Sequence, residues 1–139
     1  MAYQLTKDLE TGNALIDKEH RQLIDALNEL LAACAKGQGR KEIAKTSQFL
    51  SDYTTKHFAD EEKLQLQYRY PDYIQHKKYH EEFKLVVKEL CNKLEQNGSS
   101  VQLVAELNTR LADWLMNHIK REDKKLAAFI REKKSPVVM

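Results

Sequence analysis

The chain of 139 residues is poor in the residues that break or cross-link a fold, with four glycines, two prolines and two cysteines. Such scarcity excludes collagen-like and linker-rich architectures, and a composition 42% apolar and 32% charged excludes a disordered chain. Cys34 and Cys91 lie far apart and outside any CxxC pair, so both are expected as free thiols serving as small apolar side chains. Charge of one sign is also missing. Lysine and arginine number 23 against 21 acidic residues, interspersed for a net charge of +2, which leaves no basic stripe for nucleic acid. Apolar runs reach only a few residues, as at 30–33, so no segment can span a bilayer, and the first ten residues lack the apolar stretch of a signal peptide. These absences predict a single domain over 1–139, cytoplasmic, with neither nucleic acid nor membrane as partner.

What is present is helical periodicity. Residues 1–13 show no sustained period and end on the turn signal Gly12-Asn13, which predicts an irregular N-terminal arm. Ile16, Leu23, Leu27 and Leu30 then recur at helical spacing with His20 in their stripe, giving a first helix over 15–36 that Gly37 and Gly39 stop. A second, over 40–68, carries Ile43, Leu50, Tyr53, His57, Glu61 and Leu64 on one face, so its inward stripe turns polar halfway down. Pro71 breaks that helix and is tolerated in the first turn of the next, whose inner face reads His76, His80, Phe83, Val87, Leu90 and Leu94 to about residue 96. Asn97-Gly98-Ser99-Ser100 combines a stop with hydroxyls suited to an N-cap. The fourth stripe, Val104, Leu107, Leu111, Trp114 and His118, continues to about residue 133, before a short tail over 134–139 that contains Pro136. Short connections make sequential helices antiparallel, so the expected fold is all-α, an up-down-up-down four-helix bundle.

Chain direction then brings the five histidines to one end. His20 lies near the start of the first helix, His57 and Glu61 late in the second, His76 and His80 early in the third, and His118 with Asp123 in the second half of the fourth. Five inward imidazoles without a metal would leave ring nitrogens unsatisfied, at a cost on the order of 1 to 3 kcal/mol each. Five imidazoles and two carboxylates are too many for one tetrahedral zinc and too rich in nitrogen for calcium or magnesium. Two six-coordinate ions offer about twelve positions. Five histidines, two bridging carboxylates and one shared oxo or hydroxo bridge fill all but one of these, which stays open to a small ligand.

These residues carry a resemblance. The order Ile16-Asp17-x2-His20, His57-Phe58-x2-Glu61-Glu62, Tyr70-Pro71, His76-x3-His80 and His118-Ile119-x3-Asp123 resembles the hemerythrin family, and within it the single-domain bacterial members, over nearly the whole chain. The resemblance implies two iron ions, one held by His76, His80 and His118, the other by His20 and His57, with Glu61 and Asp123 bridging both. It further implies reversible dioxygen binding at the open position, serving storage, delivery to an oxygen-consuming protein partner, or sensing, and no enzyme activity. Leu23, Phe58, Trp114, Leu115 and Ile119 are implied as the apolar wall of the dioxygen pocket. The alternative is a di-iron enzyme acting on peroxide or nitric oxide, disfavoured because oxygen-activating di-iron bundles carry more carboxylates.

Two positions depart from the simple picture. Asp123 stands five residues after His118, where an ideal helix turns it off the ligand face that Glu122 occupies, so a π-type widening is expected between them. Glu62 and Asp60 flank Glu61 and are assigned to the solvated face. Leu5 stands in the arm where relatives often carry tryptophan, which implies a looser lid.

Overall fold

The computed structural model describes residues 3–37, 40–98 and 100–134. Helix α1 runs over Ala14–Ala35, α2 over Arg40–Gln67 and α3 over Tyr73–Asn97. A fourth helix occupies 101–134 as one continuous rod that changes pitch: α-helical at Val101–Glu106, π-helical at Leu107–Asp113, α-helical at Trp114–His118, π-helical at Ile119–Asp123 and α-helical at Lys124–Lys134. No strand occurs among the described residues.

The ends follow from local chemistry. The Asn13 side chain accepts the Ile16 N–H at 3.1 Å and caps α1, and Ser100 Oγ does the same for the fourth helix by accepting from Leu103 N–H at 3.0 Å. Gly37 and Gly98, at φ of 66° and 73°, close α1 and α3 in the left-handed region open to glycine. Gly39, Ser99, the two N-terminal residues and the tail with Pro136 lie outside the described residues.

Cross-helix pairs fix the direction of each neighbour. His57 meets Glu19, Cys91 meets Ser47, and Glu62 meets His80, so α1, α2 and α3 alternate. Arg110 meets Glu89 and His76 approaches Asp123, so the fourth helix runs against α3. The fold is the expected all-α, antiparallel four-helix bundle. Leu23, Leu27 and Leu30 of α1, Ile43 and Leu50 of α2, Phe83, Val87, Leu90 and Leu94 of α3, and Leu107 and Leu111 of the fourth helix form one buried core that continues along the bundle from the histidines. Both cysteines are buried and free, and burial raises their pKa values, that of Cys91 to about 11. Among the described residues no helix is long and apolar enough to cross a membrane.

The arm is fastened more firmly than Leu5 implied. Tyr3 pairs through its backbone with the Asn28 side chain, donating and accepting at 2.8 Å, and its hydroxyl donates to Asn108 Oδ1 at 2.7 Å. Leu5 and Tyr3 pack on the core, and Leu9 in a short 3-10 turn at Lys7–Leu9 is buried. Asp17 ties the arm to α1 by accepting from Thr11 N–H, the Thr11 hydroxyl and Gly12 N–H at 2.9, 2.7 and 3.1 Å. Gly12 sits at φ 86°, where an added Cβ would come within 2.8 Å of Arg131 Nη1.

One turn is strained. Past α2, Tyr70 N–H donates to Gln65 O at 2.8 Å and Arg69 N–H to Leu66 O at 3.2 Å, a Schellman closure whose left-handed position is Arg69 at φ 55°. Glycine adopts that geometry without the penalty a Cβ carries, on the order of 1 kcal/mol. Arg69→Gly should raise stability by about 1 kcal/mol in urea titrations; a loss would mean that the arginine side chain contributes more than its backbone costs.

Candidate metal centre

The inward stripe of α2 explains how charged groups reach the middle of a helical protein. Its buried positions are Ile43, Ser47, Leu50, Thr54, His57, Phe58, Glu61 and Gln65. Ser47 and Thr54 hide their hydroxyls by donating to Ala44 O at 3.0 Å and Leu50 O at 2.7 Å on their own helix. Reading apolarity alone placed Tyr53 and Leu64 in this stripe, and both are only half-buried. Small hydroxyl residues can hold interior positions because the helix itself satisfies them.

All seven side chains singled out in the sequence converge. His20, His57, Glu61, His76, His80, His118 and Asp123 are each no more than 5% exposed. Their ligand atoms form two groups, His20, His57, Glu61 and Asp123 in one, and Glu61, His76, His80, His118 and Asp123 in the other, each with all atoms within 4.8 Å of one another. The shared carboxylates divide their oxygens between the groups. Glu61 Oε2 lies 3.3 Å from His57 Nε2 and 3.8 Å from His20 Nε2, while Oε1 lies 2.7 Å from His76 Nε2 and 3.2 Å from His80 Nε2. Asp123 Oδ2 faces His20 Nε2 at 2.8 Å, and Oδ1 faces His76 and His118 Nε2 at 3.0 and 3.2 Å.

Among these atoms His118 Nε2 and His76 Nε2 lie in hydrogen-bond contact at 3.2 Å, and most of the others have no such partner. The four carboxylate oxygens and the Nε2 atoms of His20, His57 and His80 lack any partner of hydrogen-bond geometry. Donor atoms that crowd without pointing at one another point at a common centre, which suits metal ions of the kind imidazole and carboxylate ligate. The same crowding sets the proton chemistry of the metal-free site. Burial disfavours charge on the rings of His57 and His76, but carboxylates outweigh it, Glu19 and then Glu61 at His57 and Asp123 and Glu61 at His76, and raise both to about 10. Burial likewise pushes Glu61 and Asp123 up, and the surrounding histidines hold both below the usual carboxylate range.

Asp123 reaches this centre because the fourth helix widens. Lys124 N–H bonds to Ile119 O, a π-helical step, and the turn over Ile119–Asp123 returns the fifth residue after His118 to the inner face. Glu122 instead borders a surface cleft of about 280 Å³ shared with Tyr79, Trp114, Asn117, His118 and Arg121. A second widening, at Leu107–Asp113, had no signal in the sequence.

Two carboxylates outside the expected set orient imidazoles. His57 Nδ1 donates to Glu19 Oε1 at 3.1 Å, and Lys56 Nζ donates to Glu19 Oε2 at 3.0 Å. Burial alone would raise the Glu19 carboxyl, but these hydrogen bonds bring it down to about 2. His80 Nδ1 donates to Glu62 Oε2 at 3.0 Å, which corrects the solvated assignment of Glu62: its side chain is only 15% exposed. Asp60 pairs with Lys56 at 3.1 Å near the surface. Rotation on a single helix turned Glu62 outward, and only the neighbouring α3 reveals that outward here means toward His80. Such outer partners fix the ring orientation and the tautomer of metal-binding histidines.

Of the five residues implied for a pocket wall, Phe58 and Trp114 stack on histidine rings. Leu23, Phe58, Leu115 and Ile119 are buried in the main core. Phe58 stacks on His80 with ring centroids 3.8 Å apart, and half-buried Trp114 lies face to face with His118 at 4.5 Å and with Phe83 at 4.3 Å.

Comparison with known proteins agrees with this geometry. The family model described as the hemerythrin HHE cation binding domain matches residues 11–130. A bacteriohemerythrin of Pseudomonas aeruginosa is 36% identical over 131 residues, 94% of this chain and 83% of that protein. A bacteriohemerythrin of Stenotrophomonas maltophilia is 35% identical over 120 residues, covering 86% of this chain and 76% of that protein. A crystal structure of wild-type hemerythrin superposes with a TM-score of 0.78 at 28% identity, covering 94% of this chain and 97% of that one.

The raised histidines give a pH test of the metal-free protein. Their contribution is complete below pH 6.5, the ordinary histidine value, and disappears as pH rises through about 10. The depressed carboxylates contribute above their ordinary values of 4.5 and 3.8 and lose that contribution as pH falls through the lower folded values. Metal-free protein should therefore show its highest Tm at mildly acid pH and a falling Tm from pH 6.5 toward 10. A Tm that is level over that interval would contradict the buried ion pairs.

Proposed function

The chain belongs to the hemerythrin family, and from that premise we propose that it binds dioxygen reversibly at a centre of two iron ions and is a binder, not an enzyme. The observation that carries this reading is the division of oxygens on Glu61 and Asp123, one of each carboxylate toward His20 and His57 and the other toward His76, His80 and His118. That pattern suits two ions bridged twice. Bound there, the iron pair supplies two electrons and one open coordination position to a small ligand.

The residues of the chain do the rest. His76, His80 and His118 would hold one ion and His20 and His57 the other, with Glu61 and Asp123 shared, and the side with two histidines, a donor short, would carry the open position. Glu19 and Glu62 keep the Nε2 atoms of His57 and His80 aimed inward by holding their Nδ1 protons. Leu23, Phe58, Trp114, Leu115 and Ile119 form a dry wall that keeps water and protons from driving the bound gas off irreversibly. The histidine-rich donor set favours this over an enzyme acting on peroxide or nitric oxide. In the cytoplasm the chain would store dioxygen, deliver it to an oxygen-consuming partner, or sense it.

The test is a spectral cycle. Iron-loaded protein reduced without oxygen, exposed to air and then purged should gain a visible ligand-to-metal absorption band and lose it again. One-way oxidation would favour the enzyme reading and count against reversible binding. His57→Ala should abolish the band while leaving the helical circular dichroism intact; a band that persists overturns the placement of the open position.

A further inference from the structure

An imidazole that ligates through Nε2 carries its proton on Nδ1, and that N–H requires an acceptor. His57 finds Glu19 and His80 finds Glu62. His20 and His76 find none: the Nδ1 of each is buried without a partner. Outside the converging seven, the buried side-chain atoms likewise without a partner among the described residues are both polar atoms of Gln65 and the hydroxyl of Tyr70. Two donors thus lack acceptors, and two side chains able to accept lack donors.

Gln65 is fully buried on α2, one turn past Glu61 and on the same face. A primary amide placed there with nothing to bond is costly, more so than the leucine that would fill a similar volume. Side-chain direction pairs it. Helical side chains lean toward their own N-terminus, and α1 and α2 run antiparallel. His20 therefore leans toward the bundle end where Gln65 sits. Gln65 leans back toward the level of Glu61, whose Oε2 is 3.8 Å from His20 Nε2. Tyr70 goes with the other orphan, since its ring meets that of His76 edge to face with centroids 6.2 Å apart.

We propose that Gln65 is a positioning residue of the metal centre, its Oε1 accepting the Nδ1 proton of His20 and so holding the Nε2 of that ring toward Glu61 and Asp123. The inference rests on the metal reading above. It gives the two imidazoles of the four-donor group unlike partners, a carboxylate behind His57 and a neutral amide behind His20. A carboxylate makes its imidazole the stronger electron donor, so the amide is a setting on the centre as well as a support.

Three proteins decide it: the wild type, Gln65→Leu and Gln65→Glu, each loaded with iron and followed by chelator competition and by the reduction potential of the centre. Metal-free Gln65→Leu should unfold at or above the wild-type temperature, because no amide is buried, yet lose iron about tenfold faster or more. Gln65→Glu should hold iron as the wild type does and show a lower potential, a rescue that side-chain packing cannot explain. If Gln65→Leu keeps iron like the wild type and Gln65→Glu leaves the potential unmoved, Gln65 only fills space and the proposal is overturned. A wild type that takes up no iron overturns the metal reading, and this inference with it.

Discussion

Two ionised carboxylates, Glu61 and Asp123, sit at the centre of this protein with no exposure to water. Removing a charge from water costs several kcal/mol even after relaxation, and the cost is recovered only where opposite charge and good geometry surround it. Here the surroundings are five histidines that crowd the carboxylates without hydrogen-bonding to them. Without metal His57 and His76, whose pKa values the neighbouring carboxylates raise to about 10, hold protons that balance part of the charge. Metal bound by these residues would take the place of those protons, which would link affinity to pH through the same atoms.

The rest of the bundle serves that arrangement. The apolar end, packed by Leu27, Leu30, Leu90, Leu94 and Leu107, sets the helix spacing. At the other end each helix contributes at least one donor, so the centre ties all four together. The π turn at Ile119–Asp123 gives up regular helical bonding to bring His118 and Asp123 onto one face. The arm, pinned by Asp17 and Asn28, covers the side of α1 and the fourth helix.

The sequence was most informative where period and chemistry coincide. Four apolar stripes with short breaks specify the bundle, and histidines placed in those stripes specify which end is polar. The five-residue step from His118 to Asp123 even announced its own helical defect. What escaped were positions whose meaning depends on a neighbouring helix. Glu62 rotates away from the axis of α2 yet lands on His80, and Glu19, next to His20, reaches across to His57. Ser47, Thr54 and Gln65 were invisible to a search for apolar faces, although all three are buried. The widening at Leu107–Asp113 has no spacing anomaly to reveal it.

On the proposed reading Glu61 and Asp123 would each bridge two metal ions between the two histidine groups. Anomalous diffraction at the iron edge from crystals of iron-loaded protein tests it most directly. Two peaks are expected, one beside His20 and His57 and one beside His76, His80 and His118, with an oxygen of both carboxylates on each. A single peak, or a centre ligated by Glu62 or Glu122 in place of Glu61 or Asp123, would contradict it.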